Sequence, residues 1–183
     1  FCGRPEVESC EHCVAERPDS WGLGIRDWRV TFGDWLAQAE RLIYPNSSVR
    51  NIVSDYFPEL TGEVWPHPER NLAEFTGHAE RSLSRRKVAL IGSMSDVKGL
   101  HRLKSLADLS LSTIEPVEFV VIGPILAPLG PKAPPNVTVT GQYHAAELPR
   151  LLARERPDSI LFLSVVPETY NFVLSAALAT GLP

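Results

Sequence analysis

Residues 87–183 alternate short apolar runs with amphipathic segments, and this alternation restricts the fold more than any other feature of the sequence. The apolar runs cover 87–92, 118–123, 137–140 and 159–164, and glycine ends or follows the first three. Such runs are typical of strands that are buried on both faces of a parallel sheet. Apolar residues at helical spacing predict helices over 99–111, 145–155 and 170–180. We therefore expect an α/β fold, with a parallel sheet flanked by helices and right-handed crossovers.

The first candidate loop follows the strand that ends at Gly92, at the edge where parallel sheets of this kind bind ligands. It carries Lys98 at a predicted helix start. Backbone N–H groups, the helix dipole and the ammonium group all favour an anion there, although an ordinary surface lysine in a turn fits the same pattern. The loop has neither the Gly-Lys-Ser/Thr of a Walker A motif nor the Gly-x-Gly-x-x-Gly of a dinucleotide site.

The second candidate loop follows the strand over 159–164 and carries Glu168, which we expect in the first turn of the last predicted helix. A carboxylate is favoured there by the helix dipole alone, so capping is the simplest interpretation. A functional role gains support because both loops emerge at the same edge of one predicted sheet.

Charge and hydropathy argue against two classes of function. The chain has 18 basic and 22 acidic residues, a net charge of −4, whereas a nucleic-acid binder needs a basic surface. No apolar run reaches the roughly 18 residues of a membrane span, and the sequence shows no secretory signal. We therefore expect a cytoplasmic protein that lacks a transmembrane segment, either free or peripheral to a membrane.

Composition divides the chain near residues 82–86. Residues 1–86 have a net charge of −4 and contain all four tryptophans and all three cysteines, whereas residues 87–183 have no net charge. The chain begins at Phe1 rather than methionine and stops just after a helix-ending glycine. We therefore expect a fragment of a longer protein.

The three cysteines form a candidate metal site. Cys10 and Cys13 have the C-x2-C spacing of a zinc knuckle, and Cys2 is a candidate third ligand. A structural zinc ion is one interpretation, and a disulfide or free thiols are the others. An odd number of cysteines without a secretory signal favours a reducing compartment.

Four segments are recognisable as a set: 88–99, 119–123, 137–143 and 166–183. In this order they resemble the donor-binding domain of retaining glycosyltransferases of family 4, also called group 1. These enzymes have the GT-B architecture, in which two Rossmann-like domains face each other across a cleft. The resemblance covers about residues 62–183. It implies that residues 1–66 end an acceptor-side domain, that 67–86 form a crossover, and that 87–183 form an incomplete donor-binding domain.

Strands and a helix can also be predicted in the first part of the chain. Ser47 or Ser48 can cap a helix that ends near Tyr56, and the resemblance implies a strand before it, near 42–44, and a strand after it, near 62–65, that leads into the crossover. His67 is then interpreted as a structural residue of the crossover rather than a catalytic one.

Site residues carry over from the family by position. Lys98 matches the lysine that binds the donor diphosphate, and Glu168 matches the first glutamate of a Glu-x7-Glu motif, which contacts the donor sugar; these two are the candidate catalytic residues. The remaining candidate donor-binding residues lie in the loops at the same sheet edge: Gly92, Ser93, Gly141, Tyr143, Thr169 and Tyr170, the last two through their backbone amides.

Two positions depart from the family pattern. Ser93 stands where many members have arginine, and Ala176 stands where the second glutamate bonds the donor ribose. The spacing of 168 and 176 predicts that both face the nucleotide if one helix contains them. On that basis we expect Ala176→Glu to be tolerated and to tighten nucleotide binding.

The resemblance implies a glycosyltransferase that moves a sugar from a nucleotide-diphosphate sugar to a sugar or lipid-linked acceptor, in polysaccharide or glycoconjugate synthesis. It implies retention of anomeric configuration and no cofactor for catalysis, and we expect this fragment alone to be inactive. One alternative is a non-catalytic α/β module that has lost donor binding. A nicotinamide-dependent oxidoreductase is disfavoured because the dinucleotide glycine motif and the acidic residue after the second strand are missing.

Overall fold

The computed structural model describes residues 6–16, 22–68, 86–127 and 133–183. The chain divides into two compact units, Phe1–Pro68 and Glu69–Pro183. The predicted crossover over 67–86 lies largely outside the described residues. The longest described helix has 13 residues, and none of those described combines the length and apolarity that a membrane crossing requires.

The described residues of the first unit form three helices and a two-stranded sheet. The helices are α1 (Val7–Ala15), α2 (Ile25–Ala37) and α3 (Ser47–Tyr56), and the strands are β1 (Ile43–Tyr44) and β2 (Glu63–Val64). The strands pair in parallel, with Ile43 opposite Glu63. The strands and α3 agree with the expectation from the resemblance. Asn46, and not Ser47 or Ser48, caps α3, because its side chain accepts a hydrogen bond from the Val49 N–H at 2.9 Å.

Helices α1 and α2 were not predicted from the sequence. They are joined by the carboxylate of Glu11, which accepts hydrogen bonds from the backbone N–H groups of Ile25 and Arg26 at 3.0 and 2.9 Å. This carboxylate satisfies orphan donors at the start of α2, as an N-cap side chain does. Neither helix buries a residue completely.

In the second unit, the residues that the structure describes form a four-stranded parallel sheet and three helices. The strands are β3 (Lys87–Ile91), β4 (Glu118–Ile122), β5 (Val137–Val139) and β6 (Ser159–Ile160). The helices are α4 (Leu100–Leu111), α5 (Leu148–Glu155), which follows a 3-10 turn, and α6 (Phe172–Ala179). The sheet order is β5-β4-β3-β6, and every pair is parallel. The predicted α/β fold class is therefore confirmed.

Alternate residues of β3 and β4 enter two apolar cores, one on each face of the sheet. On one face, Leu90 and Phe119 pack with residues of α4 such as Leu103. On the other face, residues of the sheet pack with α5 and α6, and this cluster comprises Ala89, Ile91, Val120, Ile122, Leu148, Leu152 and Ala176. Burial on both faces explains why these strands read as continuous apolar runs.

Strand β6 is shorter than the predicted 159–164. It pairs with β3 only at Ser159 and Ile160, and one further bond joins the Leu161 N–H to the Ala89 carbonyl at 2.8 Å. Beyond that point the backbone leaves the sheet, and the Val165 N–H donates to the Val97 carbonyl at 3.0 Å. The segment after β6 therefore pairs with the loop after β3, which positions the candidate site.

Candidate functional site

The loop after β3 is held between its two neighbours at the carboxyl edge of the sheet. The Met94 N–H donates to the Pro124 carbonyl at 2.9 Å, and the Leu126 N–H donates to the Met94 carbonyl at 2.8 Å. The bond from Val165 to Val97 holds the other side of the loop. Backbone hydrogen bonds therefore fix the path of the chain immediately before Lys98.

Gly99 allows the closest approach at this edge. Its φ is +84°, and a Cβ built there would lie 2.2 Å from the carbonyl oxygen of Leu163. No other residue type both tolerates the left-handed backbone and leaves that space empty. The glycine thus brings Lys98 beside the segment that follows β6.

The structure brings Lys98 and Glu168 together although 70 residues separate them. Lys98 Nζ lies 2.7 Å from Glu168 Oε1, in a charge-assisted hydrogen bond. The Ser164 hydroxyl donates to the same carboxylate oxygen. Two donors therefore share Oε1, so Oε2 is the oxygen that Glu168 presents to a further donor, such as a hydroxyl group.

The surroundings of Glu168 act on its pKa in opposite directions. Burial raises the pKa, whereas the hydrogen bonds from Lys98 and Ser164 and the positive charge of Lys98 lower it, and together these three hold the pKa below the ordinary 4.5. Glu168 is consequently ionised at neutral pH and is an acceptor rather than an acid.

A cavity of about 240 Å³ lies beside this ion pair. Of the candidate residues, Gly92, Ser93, Lys98 and Glu168 line it. Ser164 and Asn171 line it as well, and sequence reasoning missed both. The sequence offered one clue to each residue. Ser164 ends the predicted strand over 159–164, and Asn171 is of a residue type that commonly caps helices.

Four other candidate residues do not line this cavity: Gly141, Tyr143, Thr169 and Tyr170. Tyr143 packs against the core cluster that contains Leu148, and burial raises the pKa of its hydroxyl. Tyr170 lies with its hydroxyl 3.4 Å from Ser175 Oγ and its ring 4.7 Å from that of Phe172. For the four residues, donor binding stays a prediction.

The expectation that Glu168 lies in the first turn of the last helix is wrong. Helix α6 begins at Phe172, because Asn171 adopts an extended backbone and caps it. Asn171 Oδ1 accepts hydrogen bonds from the N–H groups of Val173 and Leu174, both at 3.1 Å. Glu168 therefore lies in the preceding loop, where Lys98 and Ser164 orient it instead of the helix dipole.

The expectation that Ala176 faces the nucleotide is also wrong. Ala176 is 7% exposed and belongs to the core cluster between the sheet and α5. Residues 168 and 176 do not share a helix face, because the helix begins between them, at Phe172. A glutamate at 176 would enter an apolar core.

A larger cavity, of about 970 Å³, lies at the opposite edge of the sheet, beside Lys87, Glu118 and Asp158. Several of its charged groups already have partners. Lys87 Nζ lies 3.7 Å from Glu155 Oε2, and an oxygen of Asp158 accepts a hydrogen bond from the Lys87 backbone N–H at 2.8 Å. Size alone favours this cavity, but the convergence of Lys98, Ser164 and Glu168 makes the smaller one the candidate site.

The candidate zinc ligands have a different arrangement from a knuckle. Cys10 and Cys13 lie one turn apart on the continuous helix α1, and Arg29 Nη2 lies 3.8 Å from Cys10 Sγ. Within the described ranges, no three histidine, cysteine or acidic side chains are grouped as a metal would need. Cys2 lies outside the described residues, and His67 lies exposed after β2. Structural zinc therefore stays a hypothesis.

Comparison with known proteins identifies the fold class. No protein-family model matches the chain, and no curated protein matches its sequence. The chain is similar to the crystal structure of TarM, with a TM-score of 0.64 and 14% identity over 92% of this chain and 33% of TarM. It is also similar to Anabaena Alr3699/HepE in complex with UDP and glucose, with a TM-score of 0.61 and 19% identity over 88% of this chain and 48% of HepE.

Both neighbours are GT-B glycosyltransferases, and at these identities the likeness shows the fold. The Rossmann-like α/β architecture that the resemblance implied is thereby confirmed. The chain spans between a third and a half of the length of these solved structures.

Acidification should lower the stability of the second unit, because it protonates Glu168 and removes the ion pair with Lys98. The folded-state pKa is depressed, so the contribution of the ion pair is fully present above the ordinary value of 4.5 and is lost as the pH falls through the lower folded value. Glu168→Gln should remove this part of the pH dependence. We expect the difference in melting temperature between the two proteins to be largest near neutral pH and to shrink below pH 4.5.

The measurement is thermal unfolding followed by circular dichroism at a series of pH values. Glu147→Gln is the matched control, since Glu147 is an exposed glutamate of the same unit that accepts a hydrogen bond from the backbone N–H of His144. A difference for Glu168→Gln that does not change between pH 7 and pH 3 would contradict the assignment.

Proposed function

We propose that this chain is part of a glycosyltransferase that transfers a sugar from a nucleotide-diphosphate sugar to a sugar or lipid-linked acceptor. The observation that carries the proposal is the contact of 2.7 Å between Lys98 and Glu168 at the wall of a cavity on the carboxyl edge of the sheet. Open parallel sheets bind their ligands at this edge. The GT-B fold raises the expectation of a nucleotide-sugar ligand.

The proposed roles follow from charge and position. The ammonium group of Lys98 would stabilise the negative charge that develops on the leaving diphosphate. Glu168 would orient the donor sugar, because Oε2 can accept a bond from a sugar hydroxyl while Oε1 stays bound to Lys98 and Ser164. Retention of configuration, membership of family 4, metal-free catalysis and a role in polysaccharide or glycoconjugate synthesis belong to the proposal through the family resemblance.

A non-catalytic module with the same fold is the second candidate. The ion pair itself favours it, because Lys98 is balanced by Glu168 and offers little net charge to an anion. The position of Ala176 in the core adds weight, since that position supplies no carboxylate for a ribose. The two candidates differ in whether the protein binds a nucleoside diphosphate.

Lys98→Ala in the full-length protein should weaken binding of UDP by roughly tenfold to a hundredfold, because a hydrogen bond to a charged group contributes about 1.5–3 kcal/mol. UDP is the first probe because HepE was solved with UDP and glucose. Isothermal titration calorimetry measures the affinity, with GDP and NAD as comparison ligands.

Lys87→Ala is the matched control, since Lys87 also forms an ion pair with a glutamate but lies at the opposite edge of the sheet. Its affinity for UDP should equal that of the unmodified protein. Affinity within twofold for Lys98→Ala would remove the assignment of Lys98. Absence of binding to any nucleoside diphosphate by the unmodified protein would favour the non-catalytic module.

A further inference from the structure

Asn171 contributes to the candidate cavity a polar group that the family resemblance does not assign. It lines the cavity together with Lys98 and Glu168, and it lies three residues after Glu168 on the same loop. Its side chain is half-buried. The question is which of its polar atoms is available to a ligand.

The helix cap fixes the orientation of the carboxamide. Oδ1 accepts hydrogen bonds from the N–H groups of Val173 and Leu174, each at 3.1 Å, so the oxygen is directed at the helix. The nitrogen lies on the other side of the planar group. Within the part of the chain that the structure describes, Nδ2 of Asn171 donates no hydrogen bond, so this N–H₂ group is the donor that the residue can offer to a ligand.

If the donor diphosphate binds here, as the proposed function requires, its oxygens need hydrogen-bond donors besides Lys98. Lys98 and Glu168 neutralise each other, so the pair presents little net positive charge to a phosphate group. Helix N–H groups commonly supply the missing donors for a phosphate. Here Asn171 occupies two of them, those of Val173 and Leu174.

We propose that Asn171 is a donor-binding residue whose Nδ2 donates a hydrogen bond to a phosphate oxygen of the donor, in place of the N–H groups that its Oδ1 caps. This inference rests on the proposed function and adds to it the residue that recognises the diphosphate next to Lys98. The same side chain thereby stabilises α6 and binds the ligand.

The test uses substitutions that separate the cap from the donor. Asn171→Ser and Asn171→Asp keep a side-chain oxygen that caps a helix well, but both remove the N–H₂ group. Asn171→Gly removes the side chain and exposes the N–H groups of Val173 and Leu174. Affinities of the full-length proteins for UDP and for inorganic pyrophosphate are measured by calorimetry, and melting temperatures confirm that the variants fold.

We expect Asn171→Ser to weaken binding of both probes by about tenfold, as for one lost hydrogen bond to a charged group. Asn171→Asp should weaken it further because its carboxylate repels the anion. Three results would overturn the inference: affinity of Asn171→Ser within twofold of the unmodified protein, tighter binding by Asn171→Gly, or an effect on UDP without one on pyrophosphate.

The outcome for the unmodified protein separates this inference from the proposed function. If it binds neither probe, both proposals fail together. If it binds UDP and depends on Lys98 but not on Asn171, the proposed function stands and only the role of Asn171 is lost.

Discussion

Replacing Ala176 with glutamate should destabilise the second unit by about 3–5 kcal/mol, because the new carboxylate would be a buried and uncompensated charge. Ala176 is 7% exposed, and its neighbours in the core cluster are all apolar. The longer side chain would also overfill a close-packed site. The expected result is opposite to the one that the family pattern suggests, in which a glutamate at this position contacts the donor.

Leu178→Glu is the matched control, since it introduces the same charge two residues later in α6 at a side chain that is 71% exposed. Its effect should stay within about 0.5 kcal/mol, as for most surface substitutions. Urea unfolding followed by far-ultraviolet circular dichroism gives both values. Equal midpoints for the two variants would mean that residue 176 is accessible to solvent and that the core assignment is wrong.

Gly99→Ala should both destabilise the second unit and weaken binding at the candidate site. A left-handed backbone alone costs an alanine about 1–2 kcal/mol. In addition, the methyl group would lie 2.2 Å from the Leu163 carbonyl oxygen and 2.6 Å from the Leu163 Cβ, so the two loops must separate. Because Lys98 precedes Gly99, separation should pull its ammonium group away from Glu168 and weaken UDP binding at least as much as Lys98→Ala does.

Gly141→Ala isolates the contribution of the backbone. Gly141 has a φ of +83°, close to the +84° of Gly99, but an added Cβ would meet no atom of the described residues within 4 Å. In urea unfolding we expect Gly141→Ala to lose only the roughly 1–2 kcal/mol that a left-handed backbone costs an alanine. A loss of stability for Gly99→Ala no larger than that for Gly141→Ala would show that the contact with Leu163 is unimportant.

The sheet was predictable because its strands are buried on both faces, which leaves a continuous apolar run in the sequence. Helices α1 and α2 were not predicted, although apolar residues recur at helical spacing along α2, at Ile25, Trp28, Phe32 and Trp35. This stripe buries no residue completely, and its aromatic rings pack on one another, with the centroids of Trp28 and Phe32 4.2 Å apart. The start of α2 is stabilised by Glu11 of α1, a contact between helices that local sequence does not reveal.

The candidate site was predictable as far as topology determines it. Lys98 and Glu168 were expected at one sheet edge because both follow parallel strands, and the structure places them in contact. Side-chain orientation within α6 was not predictable, because it depends on where the helix begins. A cap at Asn171 rather than a start near Glu168 changes the face on which Ala176 lies.

The division into two units has a practical result for spectroscopy. All four tryptophans belong to residues 1–68, and the three that the structure describes, Trp28, Trp35 and Trp65, are 39%, 65% and 48% exposed. The intrinsic tryptophan emission of this chain therefore reports on the first unit only, whereas ellipticity at 222 nm reports on helices in both. For Ala176→Glu, a shifted ellipticity transition with an unchanged emission transition would locate the loss of stability in the second unit.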